Sequence, residues 1–232
     1  MEQVIFTSLS ERGRAGYHVV SRSPGVSEAE ATTVATWAPS QGSLLLDASN
    51  RVSVNFHPLP TGRLALARTC QGPAEYSGRG ERQVYTHALI FDPSALRETG
   101  NQPISVYRDA LALGYLQFQI APHASLKPVE LGNAYSSLDR AACAARAEAM
   151  GLGAVRELID KLAAGQSARI CCGGDRTALA ECLLGLLPRE RVLETSFSTS
   201  LQPSAVRPHR LILLPEPSAS ATTPPARAAR LR

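Results

Sequence analysis

The sequence predicts an α+β (mixed α/β) fold, with a strand-rich N-terminal half packed with a C-terminal helix–strand layer in one compact unit. Three observations carry this. Up to Phe91 most apolar residues alternate with polar ones or sit in short β-prone runs. From Ser137 onward the apolar spacing lengthens to three and four residues. After Pro215 large aliphatic residues all but vanish.

Gln3–Leu9 and Gly16–Arg22 read as the first two strands, and Ser23-Pro24-Gly25 breaks the chain after them. Ser27 and Glu30 then form an S-x-x-E capping box, in which hydroxyl and carboxylate each satisfy a free backbone amide. Ala31, Val34, Ala35 and Ala38 continue one helical face until Pro39 stops it. Val52 and Val54, then Leu64 and Leu66, mark two further strands, and Gln83–Phe91 is a third. Ser77-Gly78-Arg79-Gly80 reads as a hairpin loop between the last two.

The middle is mostly irregular, with one helix expected over Ile104–Phe118 and a loop punctuated by Pro122 and Pro128. Ser137–Met150 is Ala-rich and helical in propensity. Leu152, Val155, Leu158, Ile159 and Leu162 place an apolar stripe on the next helix, which Gly165 ends. Ala168–Cys172 reads as a short buried strand. It turns through Gly173-Gly174-Asp175 into a helix with Leu179, Cys182, Leu183, Leu186 and Leu187 on one side, and Pro188 terminates that helix. Val192–Leu201 and His209–Leu214 read as two more strands. A single α+β domain over 1–215 is expected, with a subdivision near 130–136 open. Residues 216–232 are expected to be a disordered Pro/Ala/Arg-rich tail, or a linker toward a further domain.

Composition narrows the function classes. The 232 residues suffice for a sizeable core, and 44% apolar with 19% charged residues is the balance of a folded chain. No run approaches the roughly 20 apolar residues of a spanning helix, and Met1-Glu2-Gln3 offers no basic start for a secretory signal. The net charge is +4, and Glu216 with Arg227, Arg230 and Arg232 accounts for half of it, so nucleic acid is not expected as a partner. Of the 24 basic residues only Lys127 and Lys161 are lysine, a bias that fits GC-rich coding. Cys70, Cys143, Cys171, Cys172 and Cys182 are odd in number and fit neither zinc spacing nor a disulfide framework. A reduced, cytoplasmic setting without metal, cofactor or membrane is the expectation.

The most site-like stretch is Cys171-Cys172-Gly173-Gly174-Asp175-Arg176, where a strand ends and a helix begins. Free amides at such a place attract anions, which makes Gly173, Gly174 and Arg176 candidates for an anion site. There is no G-x-x-x-x-G-K-[ST] and no G-x-G-x-x-G, and Asp175 reads first as a helix cap. His87, Cys171 and His209 are the catalytic candidates: a thiol nucleophile needs a histidine, and His209 is nearest in sequence. Structural cysteine and packed histidine are the better readings of these residues. Ser198, His87 and Asp92 make a triad on paper only, without a G-x-S-x-G elbow. Arg12, Arg14, Arg22, Arg79 and Arg82 could grip phosphates, but Glu11, Glu28, Glu30, Glu75 and Glu81 lie among them. With 5% aromatic residues no stacking platform is visible.

Three stretches carry a family resemblance: FTSLSERGRAGYHVVSRSPGVS (Phe6–Ser27), VYTHALIF (Val84–Phe91) and ETSFSTSLQPSAVRPHRLIL (Glu194–Leu213). In this order they resemble the N-terminal domain of bacterial GTPase-associated proteins, the second type in the GTPase-associated protein 1 family. The resemblance implies a non-enzymatic adaptor or recognition module of a multi-protein conflict or stress-response system, with a protein partner for which a small GTPase-like protein is the candidate. It supplies no catalytic residues, and family members usually continue into further domains. An adaptor of this kind is expected to expose an apolar patch of several hundred Å². The alternative is a hydrolase or transferase acting on a phosphorylated or nucleotide ligand at the Cys171–Arg176 turn.

Overall fold

The computed structural model describes residues 1–9, 16–74, 82–120, 122–123, 125–132, 138–150 and 155–216. Glu2–Ser8 (β1) and Tyr17–Arg22 (β2) pair antiparallel. They are followed by a helix over Glu28–Trp37 (α1) and a 3-10 turn at Gln41–Ser43. Val52–Pro58 (β3), Leu64–Ala74 (β4) and Arg82–Phe91 (β5) form an antiparallel meander, and β5 also pairs with β1. Two short helices, Pro93–Glu98 (α2) and Pro103–Ala112 (α3), each start on a proline, whose fixed φ and missing N–H suit the first turn.

Arg140–Ala149 (α4), Val155–Ala163 (α5), Ala168–Cys171 (β6), Arg176–Leu186 (α6), Arg189–Glu194 (α7), Phe197–Ser198 (β7) and Leu211–Leu214 (β8) complete the chain. All strands join one eight-stranded mixed sheet in the order β2-β1-β5-β4-β3-β7-β8-β6. The C-terminal strands continue the N-terminal sheet edge to edge, because β7 pairs antiparallel with β3 through Asn55↔Ser198 and Phe56↔Phe197. From β7 onward the pairing is parallel.

Each sheet face has its own core. Phe56, Leu66, Leu89, Phe197 and Leu211 line one face and bury against Ile104 and Tyr107 of α3, Leu162 of α5, and Leu179 and Leu183 of α6. Phe56 and Phe197 stack there with centroids 5.7 Å apart. On the other face Val4, Ala65, Ala67, Ala88 and Ile90 pack beneath Ala31 and Val34 of α1. Strand β4 is therefore buried on both sides, and Leu64 through Ala67 lose the in–out alternation that the sequence suggests. No helix among the described residues is long and apolar enough to cross a membrane.

The capping box forms as expected. The Glu30 amide donates to Ser27 Oγ at 3.3 Å, and the Ser27 amide donates to the Glu30 carboxylate at 2.9 Å. Three other expectations change. The helix expected over Ile104–Phe118 stops at Ala112, since Gly114 (φ 84°) and Leu116 (φ 59°) turn left-handed. The helix expected from Ser137 begins after Asp139, whose carboxylate accepts from the Ala141 and Ala142 amides. Val192–Leu201 is not one strand: Val192 lies in α7, which starts after Pro188 and buries Val192 against the core, and only Phe197–Ser198 is extended in the sheet. The expected hairpin loop at 77–80, and the tail beyond Glu216, lie outside the described residues.

Candidate functional site

The strand-to-helix turn at 171–176 is closed by its own chain. Gly174 takes a φ of 72°, which glycine adopts without strain, and its carbonyl accepts from Asn50 Nδ2 at 2.7 Å. All of the first four amides of α6 are taken. Arg176 N–H donates to Asn50 Oδ1 at 2.9 Å, the Thr177 and Ala178 amides donate to the Asp175 carboxylate at 2.9 and 3.0 Å, and the Leu179 amide donates to the Asp175 carbonyl. The Arg176 side chain is fully buried. It donates to the Thr199 carbonyl (2.6 Å), Ser200 Oγ (2.9 Å), the Leu45 carbonyl (3.1 Å) and the Asp47 carboxylate (2.5 Å). Gly173 faces the Glu216 carboxylate, which repels an anion. As it stands, the turn offers an anion none of these donors.

The three catalytic candidates sit apart. His87 on β5 and Cys171 on β6 are separated by five strand spacings, about 24 Å at roughly 4.8 Å each. His209 precedes β8 while Cys171 ends the parallel strand β6, so the two lie at opposite ends of that pair. His87 is buried beside Arg68 and its Nε2 lies 2.9 Å from Gln3 Oε1; burial pushes its pKa down to about 4. Cys171 is exposed, whereas burial pushes the Cys172 thiol up to about 11. Ser198 on β7 is fully buried, three strand spacings from His87, and its hydroxyl accepts from the Leu201 amide at 3.1 Å. The paper triad is not assembled.

His209 belongs to an aromatic group that the sequence does not announce. The Trp37 indole at the end of α1 stacks on His57 at 4.3 Å and meets His209 edge-on at 4.9 Å. Burial pushes the His57 pKa down to about 4, and burial together with the neighbouring His57 and Arg207 pushes that of His209 down to about 3. Both imidazoles are neutral near pH 7. Among the loop arginines, Arg22 pairs with Glu28 at 2.7 Å and Arg82 donates to the Gly72 carbonyl at 2.9 Å; Arg12, Arg14 and Arg79 lie outside the described residues.

An open groove runs between α1 and the edge strand β2. About 560 Å³ is lined by His18, Val20 and Arg22 of the strand and by Glu28, Thr32 and Thr36 of the helix, with Ala31 and Ala35 at its floor. The Arg22–Glu28 ion pair marks one end, and the stacked Phe6 and Tyr17 rings (5.8 Å) mark the other. The outer edge of β2 already accepts chain at one end. The Leu126 amide donates to the Arg22 carbonyl at 3.1 Å, Arg22 and Ser125 bridge in parallel, and Ser21 Oγ donates to the His123 carbonyl. Large exposed apolar residues among those described are Tyr17, Leu113, Phe118, Ile120 and Val206, three of them on the segment after α3. Sequence reading missed this groove, because small residues on the solvent side of α1 look like an ordinary polar face.

The groove and strands β1 to β5 lie inside the span picked out by comparison with protein families. Residues 1–130 match the family model described as GTPase-associated protein 1, N-terminal domain type 2. No curated protein and no solved structure matches.

Proposed function

The chain belongs to the GTPase-associated protein 1 family, N-terminal domain type 2, and from that membership we propose that it is a non-enzymatic recognition module of a bacterial GTPase-associated multi-protein system, of the conflict or stress-response kind, that holds an extended segment of a partner protein in the α1–β2 groove. The observation that carries this reading is the groove itself, which lies in the matched span and pairs an edge strand with a helix wall. An extended peptide laid along such an edge gains backbone hydrogen bonds, while side-chain pockets beside it confer selectivity. The contact of Ser125 and Leu126 with Arg22 supports the same reading, since this edge already receives chain. The candidates for chemistry are scattered or engaged, which favours binding over catalysis.

The test is affinity purification of the full chain from its native host at low salt, followed by titration of the recovered partner against Thr32→Arg/Thr36→Arg. Both positions are exposed on α1, so the variant is expected to fold. A GTPase-like partner recovered in stoichiometric amount, and bound at least tenfold more weakly by the variant, is the expected result. A partner held equally well by the variant would remove the groove from the proposal, and no partner at all would remove the module reading.

A further inference from the structure

Parallel neighbouring strands need a crossover, and the one from β7 to β8 is a loop over residues 199–210 rather than a helix. The loop runs over the α1 side of the sheet, beyond the end of α1, where Ile212 and Arg169 share a row with Ser198 and Asn55. Between loop and sheet lies a cavity of about 430 Å³, lined by Ser167, Arg169, Ser204, Arg207, His209 and Ile212 among others. That volume suits a small molecule.

Two buried groups in its wall lack partners. Arg207 is only 9% exposed, yet its Nε has no hydrogen-bond partner and no carboxylate forms an ion pair with it among the described residues. His209 is 5% exposed, and neither ring nitrogen makes a hydrogen bond of ordinary geometry, the Phe56 backbone being its polar neighbour. A buried N–H donor that gives up water without a replacement partner is costly to a fold, and native proteins pair nearly all such groups. Arg176, twenty-three residues before Thr199, shows the ordinary solution, with a carboxylate and carbonyls around it. Arg207 has no such arrangement.

We infer that this cavity is a binding site for the phosphate group of a small molecule, with Arg207 and Arg169 as the cationic grip and Ser167, Ser204 and His209 as hydrogen-bond donors. A guanidinium offers a planar fork of donors that matches two oxygens of a phosphate. A neutral imidazole supplies one N–H donor, and each serine hydroxyl supplies another. The anion would satisfy the groups that the chain leaves unpaired. Arg207 also borders a pocket that it shares with Phe6 and Tyr17 at the end of the α1–β2 groove, whereas Arg169, Ser167 and Ser204 line the crossover cavity, so loss of phosphate binding on substitution of Arg169 is the readout that separates this site from the groove.

The probes are inorganic phosphate and ribose 5-phosphate, titrated by calorimetry into the full chain at constant ionic strength, with thermal unfolding in parallel. Wild type is expected to bind and to gain several degrees in Tm at 100-fold excess over Kd, compared with chloride of equal ionic strength. Arg207→Met is expected to lose binding and to unfold no lower than wild type in phosphate-free buffer, since it removes a buried donor that has no partner. Should Arg207→Met fail to fold, Arg169→Gln on the edge strand serves instead, with an expected loss of about tenfold in affinity. Equal phosphate responses in wild type and the variants, or none in wild type, would overturn the site. Tighter binding of ribose 5-phosphate than of phosphate assigns the occupant as an ester, and equal binding assigns it as free phosphate.

Discussion

Arg176 and Asp47 form an ion pair at 2.5 Å in which the guanidinium is fully buried and the carboxylate is 35% exposed. The pair ties the start of α6 to the loop before β3, and the same guanidinium holds the start of the β7–β8 crossover through Thr199 and Ser200. Arg176→Met should strand two carbonyls and a carboxylate, at a cost of about 3–5 kcal/mol in urea unfolding. Asp47→Asn keeps a hydrogen-bonding group beside solvent and should cost less, about 2 kcal/mol. A loss below about 1 kcal/mol for Arg176→Met would show that the network adds little.

Glu30 is a second buried anchor. Burial raises its carboxyl pKa, but hydrogen bonds from Thr61 and Ser27 and the Arg63 charge outweigh that and hold it below the ordinary 4.5. Its contribution is therefore present above pH 4.5 and is lost as pH falls through the lower folded value. Glu30→Gln should cost about 1–2 kcal/mol at pH 7 and progressively less as the pH falls below 4.5, read from denaturant midpoints across that range.

Three histidines set a different acid limit. His57, His87 and His209 titrate at about 4, 4 and 3 in the folded chain, against 6.5 for a free side chain. The unfolded chain binds more protons between these values, so stability is full above pH 6.5 and falls as pH drops toward 4. The slope is up to about 1.4 kcal/mol per pH unit for each histidine. Unfolding free energies at pH 7.5 and 5.5 should differ by more than 1 kcal/mol. A flat profile over that interval would mean that the imidazoles are solvated.

Thiol chemistry offers a direct check on burial. Of the five cysteines only Cys171 is exposed. Burial pushes the thiols of Cys172 and Cys182 up to about 11. Titration of the native chain with an aromatic disulfide at pH 8 should therefore show one fast thiol, absent in Cys171→Ser, and five after denaturation.

Features that depend on a few neighbouring residues were legible in the sequence. The Ser27–Glu30 box and the Asp175 cap are each fixed within one helical turn, and each forms as read, whereas α6 is buried all round from Ala178 to Gly185 rather than along the one side that its leucines suggest. Misreadings arose where distant chain decides. Val192 has a strand-former's side chain, but the helix-favouring run around it and the core position it fills keep it in α7. Arg176 looked like an anion ligand because its partners Leu45 and Asp47 lie 131 and 129 residues away. Cys171 and His209 looked close because sequence does not show that β6 and β8 run parallel. The unpaired state of Arg207 had no sequence signal at all, since it is a property of what fails to surround it.

The pairing of Phe56 with Phe197 reaches across the end of the matched span at residue 130. The matched span thus holds five strands of a sheet whose other three strands, and much of whose apolar cover, come from later in the chain. A gene fragment encoding the first 130 residues alone would present β3 as a bare edge and strip the core that Leu66 and Leu89 share with α3 of its contacts with α5 and α6, an invitation to aggregate. Any other protein that carries this segment must furnish its own counterpart of Phe197 and of α6.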